Sequence, residues 1–498
     1  QDSRLLLFSY NERKKMKVFL IVPPSTLYPG DVHFASFPLG IGYLAAILER
    51  DGHQVDILDC VIEDQKPKRL ENNTYHVGLS WDTIKHRIEK SNPDILGISC
   101  SYSVDINNAM KIAEITKTVG KIPVIIGGAH SCALPQETLE NENIDYVVIG
   151  EGEETLSLLL KNIEKSQTPD HIDGLCFKKN GNLIINPRQN YISQLDDLPF
   201  PARHLFSMDK YINSKKIHGF QLKRTPYTTM ITSRGCPNRC VFCAIHSIWG
   251  RKWRSRNPIK VVDEIEYLVK EYGIREIHFE DDNISLSKTR MSKICDEICS
   301  RKLDISWATP NGISVNTLDR GLIAKMKKSG CYRLFLAIES GNQYVLDHII
   351  KKGLSLEKVK AVNSILKEFN IEVNGCFVIG LPGETKEHIQ DTIDFAKRLD
   401  LDTVGFSIAT PYPGSELYDI CKDNIKDDFS KFRLNIATMD TEFLSSNEIE
   451  KLRNKAYLEF QINKFLRHPF DYLTTKQNYK TITRYAKRIV GAKIGTCA

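Results

Sequence analysis

The sequence has no apolar run long enough to cross a bilayer, and no charged start leading into an apolar stretch of the secretory kind. A transmembrane segment is not expected, and residence in the cytoplasm is. Charge of one sign is also scarce in excess: 68 Lys and Arg face 62 Asp and Glu, a formal balance of +6. That surplus is too diffuse to make nucleic acid an expected partner. The most basic stretch, residues 480–495, reads as a solvated helix face. The 13 cysteines are odd in number and mostly scattered, which excludes a secreted disulfide framework and fits reduced thiols. The first residue is Gln1, and Met16, just before a strand, reads as a natural start. Residues 1–15 read as an extension without function.

What is present is alternation. "KVFLIV", "QVDILD", "DILGISC", "IPVIIGG" and "IDYVVIG" are apolar runs of strand length, each separated from the next by an amphipathic stretch. Over residues 16–165 this predicts an α/β domain with a doubly wound, Rossmann-like parallel sheet. Such sheets bind ligands beyond the carboxyl ends of their strands. There, Gly127 and Gly128 would admit a large ligand close to the backbone, with Ser99 and Ser101 beside them. Glu151, in "GEGEE", opens a helix and either meets a ligand or complements that helix's positive end.

The ordered set "FPLGIGYLAAILERDGHQVDILD", "GISCSYSVDINNAMKIAE", "IPVIIGGAH" and "YVVIGEGEETL" resembles the cobalamin-binding domain that precedes many radical S-adenosylmethionine (SAM) enzymes. The resemblance implies Ser99, Ser101, Gly127, Gly128 and Glu151 as cofactor contacts, with Tyr28 and His130 in loops facing the cofactor. There is one departure. Cobalamin mutases carry an Asp-x-His-x-x-Gly motif whose histidine ligates cobalt, whereas the matching loop here, 99–108, has no histidine. Cobalamin without a protein imidazole below cobalt is the expectation, and loss of cobalamin is the alternative.

"TSRGCPNRCVFCA" (residues 232–244) holds Cys236, Cys240 and Cys243 directly after a predicted strand. Thiolates at this spacing select zinc or an iron–sulfur cluster. A closed zinc site needs a fourth ligand, and His246 is a poorly placed candidate. A [4Fe-4S] cluster held by three cysteines keeps one iron open. Six strands with five intervening amphipathic stretches then predict a partial (β/α)6 barrel over 225–415, with the cysteine loop at its functional end. Cys-x3-Cys-x2-Cys in this position resembles the radical SAM superfamily. The resemblance implies that the open iron chelates SAM, and that "HFEDDN" (Glu280, Asp281, Asp282), Glu339 in "AIESG", and Gly375, Val378, Ile379, Gly380 and Leu381 in "GCFVIGLPGET" contact it.

Residues 166–224 read as a linker region, and "LDDLPFPARHLF" within it is usual between the two domains of this group. Residues 416–498 read as a mostly helical extension, with "SSNEIEKLRNKAYLEFQINKFLRHPFDYLTT" as two helices capped at Ser445 or Ser446 and Glu448 near the first turn. The combination implies a monomeric, cobalamin-dependent radical SAM methyltransferase. One SAM would supply methyl to cobalamin, and a second a 5′-deoxyadenosyl radical that activates a carbon or phosphinate centre. An external electron donor such as flavodoxin or ferredoxin is implied as partner, and the substrate is unknown. Two alternatives stand: cyclisation or oxidation without methyl transfer, and a methylthiotransferase-like enzyme with a second cluster on Cys60, Cys100 and Cys132.

Overall fold

The computed structural model describes residues 15–469 apart from 30, 32–33, 72, 215, 220 and 426–427. The predicted extension before Lys15 and the basic stretch 480–495 lie outside the described residues. The first sheet takes its parallel strands from Lys17–Val22 (β1), Gln54–Asp59 (β2), Ile95–Ser99 (β3), Val124–Gly127 (β4) and Tyr146–Val148 (β5). Side chains alternate between two helix layers. Phe19, Ile21, Leu96 and Ile98 enter one apolar cluster, and Val18, Leu20, Ile95 and Ile125 the other. Burial on both faces is what continuous apolar strands require.

The sheet is larger than the alternation predicts. Leu175–Lys179 (β6) and Asn182–Ile185 (β7), inside the stretch read as linker, join it as an antiparallel hairpin. Asn180 and Gly181 between them both have positive φ, at 51° and 78°, the primed two-residue turn that an Asn-Gly pair favours. The order is β7-β6-β5-β4-β3-β1-β2, so the chain reverses direction across the sheet between β1 and β3. A ligand crevice opens at such a switch point.

The second sheet is parallel throughout, with strands adjacent in chain order: Tyr227–Met230 (β8), Glu276–Phe279 (β9), Ser306–Ile313 (β10), Cys331–Glu339 (β11), Glu372–Ile379 (β12) and Thr403–Ile408 (β13). Five helices alternate with them, at Pro258–Tyr272, Lys288–Ser300, Arg320–Lys328, Leu356–Glu368 and Lys386–Arg398. Ile277, Phe279, Trp307, Leu334, Leu336 and Phe377 pack towards the helices. The strand period of two therefore turns Glu276, His278 and Glu280 inward. This is the partial barrel that the sequence predicts.

The open edge of β13 is managed by the C-terminal helix Ser446–Arg467. Its Tyr457 hydroxyl accepts from the Phe406 amide at 2.9 Å, and Arg453 Nε donates to the Phe406 carbonyl at 2.7 Å. Two unpaired edge groups are thereby satisfied. Ser445 and Glu448 form the expected capping box. Between 416 and 445 the described residues form one six-residue helix, two short turns and irregular chain before the long helix Ser446–Arg467, and the second predicted helix falls largely outside the described residues. Among the described residues no helix is long and apolar enough to cross a membrane.

Candidate active site

A cavity of about 280 Å3 opens at the switch point of the first sheet, between Leu20 of β1, Gly97 and Ser99 of β3 and Gly127 of β4. Small residues create it. A Cβ on Gly97 would stand 2.7 Å from Leu20 Cδ2, and one on Gly128 would stand 2.3 Å from the Cys100 carbonyl oxygen. Gly128 also has φ +119°, a conformation that side chains disfavour. Ser99 and Ser101 are at the mouth with their hydroxyls 3.3 Å apart. All five predicted contacts line one apolar cavity.

Glu151 also borders the cavity, but its carboxylate is otherwise engaged. It accepts from Arg234 at 2.7 Å, from Arg254 at 2.8 Å and from the Ile192 amide at 2.7 Å. Glu153 takes the other arm of Arg234 at 2.6 Å, and Tyr43 and Trp249 cover that guanidinium. Glu151 is therefore corrected from a ligand contact to the buried centre of a clamp between the two domains. His130 likewise turns inward. Its Nδ1 meets Ser103 Oγ at 3.0 Å, its ring packs on Phe429, and burial pushes its pKa down to about 4. Tyr28 bonds Ser430, beside an Asp31–Arg433 pair at 2.7 Å. These contacts seat the C-terminal segment on the first domain. Within loop 99–108 Tyr102 is the large side chain that stands exposed, at 68%.

Cys60, Cys100 and Cys132 all enter one apolar cluster of the first domain. Burial raises all three thiols, and Cys132 Sγ is occupied by the Gly150 amide at 3.0 Å. They pack as small apolar side chains in this core.

The cysteine loop leaves β8 between two short paired strands, Ser233–Arg234 and Arg254–Ser255. Cys236, Cys240 and Cys243 are half-buried. Burial pushes Cys240 up to about 11 and Cys243 up to about 12. Among the described residues no three His, Cys, Asp or Glu groups are gathered tightly enough to cage a single ion. A cubane has no such requirement, since each thiolate binds its own iron.

The three acids after β9 divide their roles. Asp281 is consumed internally, accepting from the Thr232 amide at 3.0 Å, the Thr232 hydroxyl at 2.7 Å and Ser233 Oγ at 2.5 Å. It fixes the strand end that launches the cysteine loop. Asp282 keeps a buried oxygen with no protein partner, and burial together with Asp281 pushes its pKa up to about 7. Glu280 points elsewhere, to His218 Nδ1 at 3.0 Å. Burial disfavours the charged imidazole, but the bond to Glu280 outweighs it and lifts His218 above its ordinary value.

Glu339 ends β11 at φ +75°, a strained conformation for a side chain with Cβ, and receives Lys352 Nζ at 2.8 Å. Gly375 and Ile379 are corrected. The strand period turns Gly375 towards Leu401 and Ile338, and Ile379 into the helix-facing core. Val378 and Leu381 instead pack with Val241, Cys240 and Phe242 of the cysteine loop. Gly380, at φ +79°, lets Ile449 of the C-terminal helix approach. Sequence reading missed Glu384, which is fully buried and accepts from the Gly380 amide at 2.6 Å and the Leu381 amide at 3.2 Å. An acid just past a Gly-Leu-Pro-Gly turn was the available signal.

The B12 binding domain family matches residues 28–160, and the Radical SAM superfamily matches residues 230–396. The chain is 35% identical over 455 residues to an uncharacterized methyltransferase of Pyrococcus horikoshii, covering 90% of this chain and 93% of that one. It is 33% identical over 446 residues to cytidylyl-2-hydroxyethylphosphonate methyltransferase of Streptomyces wedmorensis, covering 82% of each. The chain belongs to the cobalamin-dependent radical SAM methyltransferases. In fold, the methyltransferase is similar to the cobalamin-dependent S-adenosylmethionine radical enzyme OxsB with aqua-cobalamin bound. The TM-score is 0.71 at 16% identity, over 96% of this chain and 72% of that one.

The residues present fit the three cofactors of the family. The Gly-lined apolar cavity with hydroxyls at its mouth suits the aromatic tail of cobalamin and its polar linker. The half-buried thiols, with the Lys352 ammonium nearby, suit an anionic [4Fe-4S] cluster. The unpaired Asp282 oxygen suits the SAM ammonium. For the methyltransferase, Gly128→Ala should cut cobalamin binding at least tenfold, because the new methyl would overlap the Cys100 carbonyl. Iron content should stay unchanged. Cobalamin titration of the reconstituted protein, with iron quantified alongside, reads both, and full binding would refute the cavity assignment.

Proposed function

We propose that the methyltransferase methylates an unactivated carbon or phosphinate centre of a small substrate held between its two domains. One observation supports this most. Arg234 lines the cobalamin cavity and stands two residues before Cys236, so the methyl carrier and the radical source flank one cleft. When bound, cobalamin and the cluster with SAM supply the methyl-transfer and radical chemistry. The protein's own groups orient and enclose. Asp282 would hold the SAM amino group, the Glu339–Lys352 pair borders the cysteine loop, and Val378 and Leu381 would give SAM an apolar floor. The cluster would need an electron from an external one-electron donor such as flavodoxin or ferredoxin. The Streptomyces relative, named for cytidylyl-2-hydroxyethylphosphonate, makes an alkyl carbon the first acceptor to test.

Turnover with methyl-deuterated SAM checks the reading. Two SAM should be consumed per product, with S-adenosylhomocysteine and 5′-deoxyadenosine both released and all three deuterons in the product methyl. Release of 5′-deoxyadenosine alone with an unlabelled product would establish cyclisation or oxidation instead.

A further inference from the structure

At the barrel mouth, Glu280 has an environment unlike that of the two acids after it. One carboxylate oxygen is bound by His218; the other, Oε1, is buried and has no protein partner. The segment is held rigidly, since the Glu280 amide donates to the Met230 carbonyl at 2.8 Å and Asn311 Nδ2 donates to the Glu280 carbonyl at 3.2 Å. His218 arrives from the segment between the domains. Its ring lies 5.8 Å from that of Phe34, which comes from the first domain and is 49% exposed. Three separate parts of the chain therefore bring together a pre-set hydrogen-bond acceptor, its imidazole partner and an open aromatic edge.

The chemistry of this trio is selective. The His218 ring takes Glu280 Oε2, and one acceptor position, Oε1, is left over. A buried acceptor without a donor carries a desolvation penalty that an incoming N–H or O–H group would remove. A second anion would instead face the free carboxylate oxygen. We propose that Glu280, His218 and Phe34 form the acceptor-substrate subsite, binding a molecule with a hydroxyl or ammonium group next to an apolar face. Glu280 is a positioning residue in this assignment: it orients the C–H bond that the radical attacks and takes no proton. The assignment rests on the proposed methyl-transfer reading for the identity of the cleft, but not for its binding preference.

The test uses protein reconstituted with cluster, cobalamin and SAM, and four probes that share one ring. These are 2-phenylethanol, 2-phenylethylamine, 2-phenylethyl methyl ether and phenylacetate, with affinity read by ligand-observed NMR. The alcohol and the amine should each bind about tenfold more tightly than the ether and the anion. Glu280→Gln should erase the amine's advantage, and Phe34→Ala should weaken both donor probes. His218→Gln, at a half-exposed position, replaces a ring that can take up a proton with a neutral amide and should tighten the amine relative to the alcohol. Equal affinities across the four probes would overturn the assignment. So would tighter phenylacetate, or an amine-to-alcohol ratio unmoved by both Glu280→Gln and His218→Gln. Because binding is read without turnover, an unlabelled product in the deuterium experiment would remove the methyl-transfer reading alone.

Discussion

Replacing Cys236, Cys240 and Cys243 together by Ala is expected to abolish the cluster's visible absorbance and to reduce SAM cleavage to background. Cobalamin binding should persist. The loop is anchored by groups other than its thiols. The Val241 amide donates to the Ile350 carbonyl at 3.1 Å, the Leu417 amide donates to the Val241 carbonyl at 2.8 Å, and Val241 is buried in an apolar cluster with Leu346, Ile350 and Leu381. Upstream, Asp281 holds Thr232 and Ser233 through bonds that involve none of the three thiols. Three small substitutions therefore remove the iron ligands and leave their scaffold in place. Anaerobic reconstitution with iron and sulfide, then iron quantification and assay of 5′-deoxyadenosine, reads the outcome. A triple variant that still assembled a cluster and cleaved SAM would refute the ligand assignment.

The second large effect is expected at the domain clamp. Glu151→Ala leaves the Arg254 guanidinium and the Ile192 amide buried without their carboxylate, while Arg234 keeps only Glu153. Removing one partner from a buried pair costs about 3–5 kcal/mol, chiefly because the other charge stays desolvated. Urea unfolding should show that loss. Cobalamin affinity should fall with it, since Arg234 forms part of the cavity wall. Glu151→Gln should do less harm, because its amide oxygen still accepts from the Ile192 amide and from one arginine. Stability within about 0.5 kcal/mol of the parent for Glu151→Ala, the range of ordinary surface changes, would show that the clamp does not couple the domains.

Some of the site was written locally. Cys236, Cys240 and Cys243 fall within eight consecutive residues, and their ligand chemistry depends on spacing and side-chain type alone. Gly127 and Gly128 end a strand whose apolar run is unmistakable, so the cofactor face of the first sheet could be placed from pattern. The roles of the acids were not legible in this way. Glu280, Asp281 and Asp282 are consecutive, yet one binds His218, one is spent on Thr232 and Ser233, and one keeps a free oxygen. Which of these applies depends on residues 48 to 62 positions away in the chain, and local composition carries no trace of them.

By itself the sequence determined the two α/β units, the cluster loop and the cofactor face, because strand period, glycine freedom and thiolate spacing are local properties. Only the tertiary structure decided that Glu151 clamps Arg234 and Arg254, that Gly375 faces helices, that Glu384 caps the turn at Gly380, and that His218 and Phe34 meet at Glu280. Each of those facts is a pairing of buried charge, donor or volume between distant segments. Such pairings are set by which groups lose water together on folding, and that is a property of the packed chain alone.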